Sequence, residues 1–378
     1  MQEGFPESVL FPVLRAGLSL NEDIPALTDS DVSELLQIGK RQSILPVMLY
    51  ALQRCKADTA LTERFQQACE KDVLRFLFME QAVQQICAAL DDASVPYILL
   101  KGATIRALYP EPWLRTSSDI DVLVHEDDLE HAIAALEYAT DFISGKRSDH
   151  DVCMMNAQVH LELHFCLDSG EDGAQGALLT SVWSHTHREG ESFCCSMEPA
   201  FQTFYHLCHM SRHLRRQGMG IRPVMDLFLL RQNLGREEKP LRELCAQCGL
   251  LRFYDATSLL SDVWFGTAQH TPLTQALEAF CLSGGVFGSE ESGVIARRRE
   301  DSSGLSYLLH RIFLPRKRLE AYYPALKDKP NRLAYYQIKR WFRATTKEHE
   351  RIQKELKILT EERASAEKFE KLMRSLEL

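Results

Sequence analysis

A block of short strand-like segments between about residues 95 and 166 interrupts a chain whose other parts follow helical periodicity. In the last segment, apolar residues alternate with His160, Glu162 and His164, which gives one apolar and one polar face. The acidic stretch over 126–139 predicts a helix inside the block. Four strands are predicted, at about 95–100, 118–124, 149–156 and 158–166. The expected fold class is therefore α+β, a small mixed sheet flanked by N-terminal and C-terminal helical regions.

The flanking regions carry helix signals of different strength. Thr28 is a capping residue before an apolar pattern that continues to Cys55, and a second long helix is predicted from about Leu61 to Leu90. The helical pattern returns after about Pro199, with a glycine loop at 218–220. Two later segments have no such apolar pattern. Residues 283–304 are rich in Gly, Ser and charge and predict a mobile loop, and a charged helix with few apolar residues follows from about 332.

These segments divide the chain into four predicted parts, in line with the roughly two or three domains that this length suggests. We expect the charged tail to bury itself poorly, which favours contact with a protein partner. The predicted parts are an N-terminal helical region (1–92), an α/β core (93–197), a C-terminal helical domain (198–345) and a charged helical tail (346–378).

Composition and charge narrow the function classes. The net charge of −9 argues against a general binder of nucleic-acid backbones, because such proteins carry a broad basic face. The 11 cysteines are irregularly spaced and odd in number, which predicts reduced thiols and no disulfide framework. The lone Cys245-Ala-Gln-Cys248 does not predict a zinc site. No signal-peptide pattern or bilayer-spanning run is visible, so a soluble cytoplasmic protein is expected.

Asp119 and Asp121 form the strongest candidate site. Two positions apart on a strand, they project from the same face. Two anions held this close repel each other unless a cation lies between them, and Mg²⁺ prefers carboxylate oxygens. Glu162, on the polar face of a later strand, supplies a third carboxylate that could also accept a proton from an attacking hydroxyl. Alone, the Asp pair also fits a solvent-facing strand end, and Glu162 also fits a sheet edge.

A glycine turn directly follows the first predicted strand. Gly102 would let backbone N–H groups approach a phosphate closely, Lys101 and Arg115 could neutralise its charge, and Thr104 offers a hydroxyl.

The order of strand, glycine turn, helix and Asp-x-Asp strand resembles the polymerase-β-type nucleotidyltransferase superfamily. More narrowly, LLKGATIRALYP and WLRTSSDIDVLV are similar to a family of uncharacterised nucleotidyltransferases. The shared features are Lys101-Gly102, an arginine before Asp-Ile-Asp, and a Glu162-Leu-His164 strand. The resemblance also extends over helical segments, including Tyr322-Tyr-Pro and Tyr335 to Phe342. One departure is that Lys-Gly-Ala-Thr replaces the superfamily's Gly-Ser turn, so the ranking of Lys101, Thr104 and Arg115 in phosphate binding stays open.

The resemblance implies transfer of a nucleoside monophosphate, with AMP from ATP preferred, to an acceptor hydroxyl. It implies two Mg²⁺ ions, with Asp119, Asp121 and Glu162 as metal ligands and catalytic residues. The nucleotide would be bound by Lys101, Gly102, Thr104, Arg115 and Ser118. The acceptor could be a small molecule, carbohydrate, peptide or protein. Supporting roles are implied for His164, His206, His213 and Asp226.

Simpler interpretations stand beside these supporting roles. His206, His209 and His213 lie near one helical face and are typical of hydrogen-bonded packing residues. Arg222 and Asp226, four apart, fit a local ion pair. The Arg297–Arg299 run fits a solvated surface better than a nucleic-acid contact. Two other functions stay open: a catalytically silent module that binds nucleotide or a protein, and a toxin-like nucleotidyltransferase that modifies RNA.

Overall fold

The structure is a computed structural model that describes residues 4–21, 23–168, 173–188, 190–216, 218–285, 332–333, 335–337 and 363–378. Several predicted features therefore lie wholly or mostly outside the described residues. They are the loop over 283–304 beyond residue 285, the Arg297–Arg299 run, the Tyr322-Tyr-Pro segment, most of Tyr335 to Phe342, and the tail over 343–362.

The N-terminal region is helical, as the sequence predicts. Its helices are α1 (Phe11–Gly17, after a π-helical turn at Pro6–Leu10), α2 (Asp29–Gln42), α3 (Leu45–Arg54) and α4 (Thr59–Asp92). Thr28 caps α2 through a reciprocal pair of hydrogen bonds with Asp31. The apolar pattern up to Cys55 is two helices, because Ser43 adopts a left-handed conformation (φ 55°) and Pro46 lies in the first turn of α3.

A five-stranded mixed sheet follows, made of β1 (Tyr97–Leu99), β2 (Asp119–Val124), β3 (Ile143–Arg147), β4 (Asp151–Met155) and β5 (His160–His164). Its spatial order is β1-β2-β5-β4-β3. Only β2 and β5 pair in parallel, and the other neighbours are antiparallel. The four predicted strands are present, but β3 was missed because all five of its residues are exposed and show no apolar alternation.

Helices cover one face of this sheet. Between β1 and β2 lies α5 (Gly102–Ile105), and α6 (Leu129–Ala139) is the predicted acidic helix. Helices α4 and α6 pack on the face that carries Ile120, Val122 and Leu161, and these residues form one buried cluster. Because side chains alternate along a strand, Asp119 and Asp121 project from the opposite face.

The C-terminal region is helical and joins the N-terminal helices in a second buried cluster. The predicted loop at 218–220 separates α8 (Pro199–Arg216) from α9 (Ile221–Gln232). A small antiparallel hairpin of β6 and β7, which the sequence did not predict, lies before α8. The remaining elements are α7 (Ala174–Leu179), β6 (Thr186–Arg188), β7 (Cys195–Met197), α8 (Pro199–Arg216), α9 (Ile221–Gln232), α10 (Glu238–Gln247), α11 (Leu251–Phe265), α12 (Pro272–Ser283) and α13 (Arg363–Ser375).

The end of the tail differs from the expectation of a poorly buried charged helix. Phe369, Leu372 and Met373 of α13 are buried in the helical cluster, and the Phe369 ring stacks on Phe280 of α12 with centroids 5.2 Å apart. Few apolar residues are needed because they recur at helical spacing on one face. That expectation is therefore wrong for residues 363–378.

Two further observations concern the chain as a whole. None of the 11 cysteines forms a disulfide in the structure. Within the part of the chain that the structure describes, no helix is both long and apolar enough to cross a bilayer.

Candidate active site

The parallel pairing of β2 with β5 brings the predicted carboxylates together. In this register Asp119 is opposite His160, Asp121 is opposite Glu162, and Leu123 is opposite His164. Directly paired residues project from the same face of a sheet. The face of the sheet opposite α4 and α6 therefore carries acidic and imidazole side chains in adjacent rows.

Asp121 is the centre of this group. Its side chain is only 3% exposed, and Oδ1 accepts a hydrogen bond from Lys101 Nζ at 2.7 Å. His164 Nε2 lies 3.0 Å from the same oxygen and 3.6 Å from Glu162 Oε2. Ligand atoms of Asp121, Glu162 and His164 all lie within 4.8 Å of one another. Glu162 is 39% exposed, so the group opens to solvent on the β5 side.

The two aspartates have different electrostatic surroundings. Burial acts to raise the pKa of Asp121, but the Lys101 charge and the His164 hydrogen bond outweigh it and hold that pKa well below its usual range. The pKa of Asp119 is raised, first by burial and then by the nearby Asp121 charge. The Asp119 carboxylate accepts a hydrogen bond from Ser118 at 3.2 Å. Asp121 is thus the more readily ionised of the two aspartates.

The donor set fits a divalent cation. Two carboxylates and one imidazole offer oxygen ligands that suit Mg²⁺ or Mn²⁺ and a nitrogen ligand that transition ions accept more readily. The sequence predicted Asp119, Asp121 and Glu162 as the ligand set and gave His164 only a supporting role. The structure brings His164 into direct range of Asp121 and Glu162, while Asp119 lies one step further along the same face.

The turn after β1 carries the predicted phosphate-binding residues. Lys101 adopts φ 44° and ψ −111°, a backbone conformation that side chains rarely occupy. Burial alone would lower the pKa of Lys101, but the oxygens of Tyr205 and Asp121 outweigh it and raise that pKa. Thr104 donates from its hydroxyl to the Lys101 carbonyl at 3.2 Å.

Gly102 is needed for a close approach between two parts of the chain. A Cβ at this position would overlap Ser117 Oγ and lie 2.9 Å from Arg115 Nη1. The glycine was predicted to admit a phosphate. In the structure it admits the side chains that precede β2.

Arg115 is buried and forms a bidentate ion pair with Asp226 of α9. Its Nε and Nη2 donate to the two Asp226 oxygens at 2.9 and 2.8 Å, and the Tyr109 hydroxyl donates to Oδ1 at 2.7 Å. Burial would raise the pKa of Asp226, but Arg115 lowers it overall. The local interaction expected between Arg222 and Asp226 is therefore accompanied by a long-range one, and the Arg222 charge also lowers the Asp226 pKa. The carboxylate is bound by a segment 111 residues away, and Arg222 donates to the Thr116 carbonyl at 3.0 Å.

The histidines of α8 are buried or half-buried, and each lies within hydrogen-bond distance of a neighbouring group. His206 Nε2 lies 2.9 Å from the Pro223 carbonyl, and the Nε2 atoms of His209 and His213 lie 3.1 Å apart. Burial lowers the pKa of all three, that of His213 to about 4. They are therefore neutral near pH 7.

A cavity of about 340 Å³ adjoins the site, between the Lys101 turn, β7 and α8. Lys101 and Thr104 line it on one side, and Gln202, Tyr205 and His209 of α8 on the other. Burial raises the Tyr205 pKa to about 12, so the phenol is neutral. The contribution of Tyr205 was missed from sequence because it lies in an apolar helical pattern that gives no sign of a site.

Comparison with known proteins gives one match. A family model described as an uncharacterised nucleotidyltransferase matches residues 28–266, more than half of the chain. The matched range contains the whole sheet, the Lys101 turn and α9, and it ends before the later helical segments of the resemblance. No curated protein and no solved structure matches the chain. Because the family model covers most of the chain, including the sheet that carries Asp121 and Glu162, the chain belongs to the uncharacterised nucleotidyltransferase family.

Proposed function

We propose that the protein is a divalent-metal-dependent nucleotidyltransferase that moves a nucleoside monophosphate from a nucleoside triphosphate to an acceptor hydroxyl. The observation that carries the proposal is the grouping of Asp121, Glu162 and His164 within 4.8 Å, on the face that Asp119 shares and beside the Lys101 turn. Family membership supports the same reaction class. The preference for Mg²⁺ and for ATP follows the sequence resemblance.

The chain's own residues divide the work as follows. Asp121, Glu162 and His164 would hold one cation, and Asp119 with Asp121 a second. A bound metal ion would stabilise the charge that develops on the phosphate oxygens. Lys101 would bind the β- and γ-phosphates, with Thr104 and Ser118 as hydroxyl donors. Arg115 would act through its positive charge beside the turn, because its guanidinium is bound to Asp226.

Glu162 is the residue that would receive the acceptor proton. It is the most exposed member of the group, and it lies on the β5 side, away from Lys101. The acceptor oxygen forms a bond to the α-phosphorus, the bond from that phosphorus to pyrophosphate breaks, and the hydroxyl proton passes to the Glu162 carboxylate. The acceptor would therefore approach over β5 and β4.

The reaction is tested by incubating the protein with Mg²⁺ or Mn²⁺ and ATP labelled in the α-phosphate. The acceptors are water, the protein itself, a sugar, a hydroxyl-bearing peptide and tRNA, and pyrophosphate and transferred label are both measured. Asp121→Asn should reduce turnover by more than the roughly 100-fold that loss of an outer-shell partner causes. The control Asp127→Asn makes the same charge change at an exposed site and should leave turnover unchanged.

Equal trace release by wild type and Asp121→Asn with every acceptor would contradict the proposal. Calorimetric titration with a non-hydrolysable ATP analogue then separates the remaining cases. Binding without turnover would indicate the silent binding module. Turnover with tRNA alone would indicate an RNA-modifying enzyme.

A further inference from the structure

The Lys101 ammonium contacts the same Asp121 oxygen, Oδ1, that faces the candidate metal ligand His164. We propose that Lys101 holds the Asp121 carboxylate until a triphosphate draws the ammonium away, so that nucleotide binding frees the metal site. This inference rests on the proposed function and adds a binding order to it. The metal ion and Lys101 compete for one Asp121 oxygen, and nucleotide binding shifts that competition in favour of the metal ion.

The competition follows from the hydrogen bonds of Asp121. Oδ1 is contacted both by Lys101 Nζ at 2.7 Å and by His164 Nε2 at 3.0 Å. A cation that binds this oxygen must displace the lysine or crowd it, since two positive charges so close repel each other. A buried carboxylate without a cationic partner is strongly disfavoured. Lys101 therefore stabilises the metal-free protein and opposes metal binding in the same contact.

The backbone of Lys101 gives a second, independent observation. Its φ of 44° is in the region that favours glycine, and the adjacent residue is a glycine. The strained conformation is held by the turn, in which Ile105 N–H donates to the Lys101 carbonyl at 2.9 Å and Leu100 N–H to the Asp121 carbonyl at 2.9 Å. Strain of this kind is typical of switch and ligand-clamp positions. We therefore take the strained backbone to serve the positioning of the Lys101 side chain.

The surroundings give the lysine a second position to occupy. Its side chain is 24% exposed and lines the cavity together with Thr104, Gln202 and Tyr205. The histidines of α8 on that wall are neutral, so the ammonium is the positive charge that the described cavity lining offers to a phosphate. A triphosphate reaching the cavity mouth would bind the ammonium and leave Asp121 to the metal. The two ligands should then each raise the other's affinity by the same factor.

The first test measures Mn²⁺ binding without nucleotide by electron paramagnetic resonance. Lys101→Met removes the charge and keeps the side-chain length, and should bind Mn²⁺ at least about tenfold more tightly than wild type. Lys101→Arg keeps the charge and should bind it as weakly as wild type. Lys146→Met removes a lysine from the exposed strand β3 and serves as the control. A Lys101→Met affinity no higher than that of wild type overturns the proposal.

The thermal melt keeps the test decisive if Lys101→Met is unstable. Without metal this variant should melt below wild type, because Asp121 has lost its partner, and Mn²⁺ should restore the melting temperature. Wild type and Lys146→Met should respond little to Mn²⁺ alone. A melting temperature of Lys101→Met that Mn²⁺ does not raise counts against the competition.

The second test uses exchange-inert Cr(III)–ATP, which supplies a triphosphate without releasing its own metal. It should raise the Mn²⁺ affinity of wild type about tenfold or more and have little effect on Lys101→Met. No effect on wild type overturns the coupling, even where Lys101→Met gains Mn²⁺ affinity. Coupling that appears as expected, in a protein that never releases pyrophosphate, would instead overturn the proposed function alone.

Discussion

Asp119 and Asp121 are chemically identical side chains two positions apart, and their surroundings shift their pKa values in opposite directions. Asp121 accepts from Lys101 and faces His164, so its pKa is lowered. Asp119 is partly buried and lies next to the Asp121 charge, so its pKa is raised although it accepts a hydrogen bond from the Ser118 hydroxyl. A cation between the two would remove the repulsion that raises the second pKa. In the proposed metal site Asp121 would therefore bind the cation first, and Asp119 would complete the ligand set.

Replacing Gly102 tests how tightly the turn is packed against the segment before β2. Gly102→Ala should lower the free energy of unfolding by about 1–3 kcal/mol, because the new Cβ overlaps Ser117 Oγ. It should also weaken binding of an ATP analogue, since the Lys101 turn moves with it. Urea unfolding and calorimetry measure the two effects.

The double variant Gly102→Ala with Ser117→Ala identifies the cause. Removing the serine oxygen should restore part of the lost stability, a coupling expected only for residues in contact. Additive losses in the double variant would show that the overlap is relieved elsewhere.

His213 predicts how stability depends on pH. Its pKa in the folded protein is lowered to about 4, chiefly by burial, whereas an unfolded histidine binds a proton near pH 6.5. Between these values the unfolded state holds the extra proton. The stability that neutral His213 contributes is therefore fully present above about pH 6.5 and is lost as the pH falls. The free energy of unfolding should decrease by about 1–3 kcal/mol as the pH drops to about 4.

The measurement is urea unfolding at several pH values for wild type, His213→Gln and His131→Gln. His213→Gln should show a smaller fall than wild type between pH 6.5 and 4. His131 is exposed on α6, so its replacement should leave the slope unchanged. Parallel curves for all three proteins would show that His213 is not buried in its neutral form.

At the scale of elements, local patterns were predictable and pairings were not. The alternation around Glu162 and the apolar run before Lys101 predict strands because burial of one face dictates them. The break between α2 and α3 depends on the left-handed backbone conformation of Ser43, which no sequence pattern predicts. The register of Asp121 opposite Glu162 depends on a parallel pairing across 41 residues of chain, and no local pattern specifies it.

The ion pair between Arg115 and Asp226 shows the same limit. Both residues were singled out from sequence, but only the packing of α9 against the segment before β2 joins them. His164 was also undervalued, because its distance to Asp121 follows from the side-chain directions of two strands. Such contacts are specified by tertiary packing, and residue spacing along one element does not contain them.

Removing one partner of this buried pair should cost far more stability than removing one partner of an exposed pair of the same residue types. Asp226→Asn leaves the Arg115 guanidinium buried without its counter-ion and should cost about 3–5 kcal/mol. Tyr109→Phe removes one hydrogen bond to the same carboxylate and should cost about 1 kcal/mol. Chemical denaturation measures each difference.

The chain offers a matched control in the exposed pair of Arg242 with Asp255, whose closest atoms are 2.6 Å apart. Asp255→Asn should cost about 0–1 kcal/mol, since solvent screens that pair. Equal losses for Asp226→Asn and Asp255→Asn would contradict the role of α9 as a buried tie to the sheet.

For the whole molecule, the four predicted parts are not four separate cores. The limits near 92 and 197 fall between elements, since α4 ends at Asp92 and β7 ends at Met197. The buried side chains nevertheless join α1 to α3 with α8 to α12 in one cluster, and Phe11 of α1 stacks on Trp264 of α11 at 4.9 Å. The sheet and its covering helices form the second cluster. The sheet face that carries Asp121 therefore lies toward the helical cluster, which also includes Ile98 and Leu123 of the same sheet.

The helical cluster that joins α1 to α3 with α8 to α12 also includes residues of α13, and this gives the last prediction. Phe369 of α13 is 3% exposed and stacks on Phe280, and Arg252 of α11 donates to the Ser375 carbonyl at 2.9 Å. Phe369→Ala should therefore cost about 3–5 kcal/mol in a single cooperative unfolding transition. Glu367→Ala, at an exposed position of the same helix, should leave the transition unchanged. If Phe369→Ala unfolds like wild type, α13 does not belong to the core, and the tail would be available to a partner as its charge suggests.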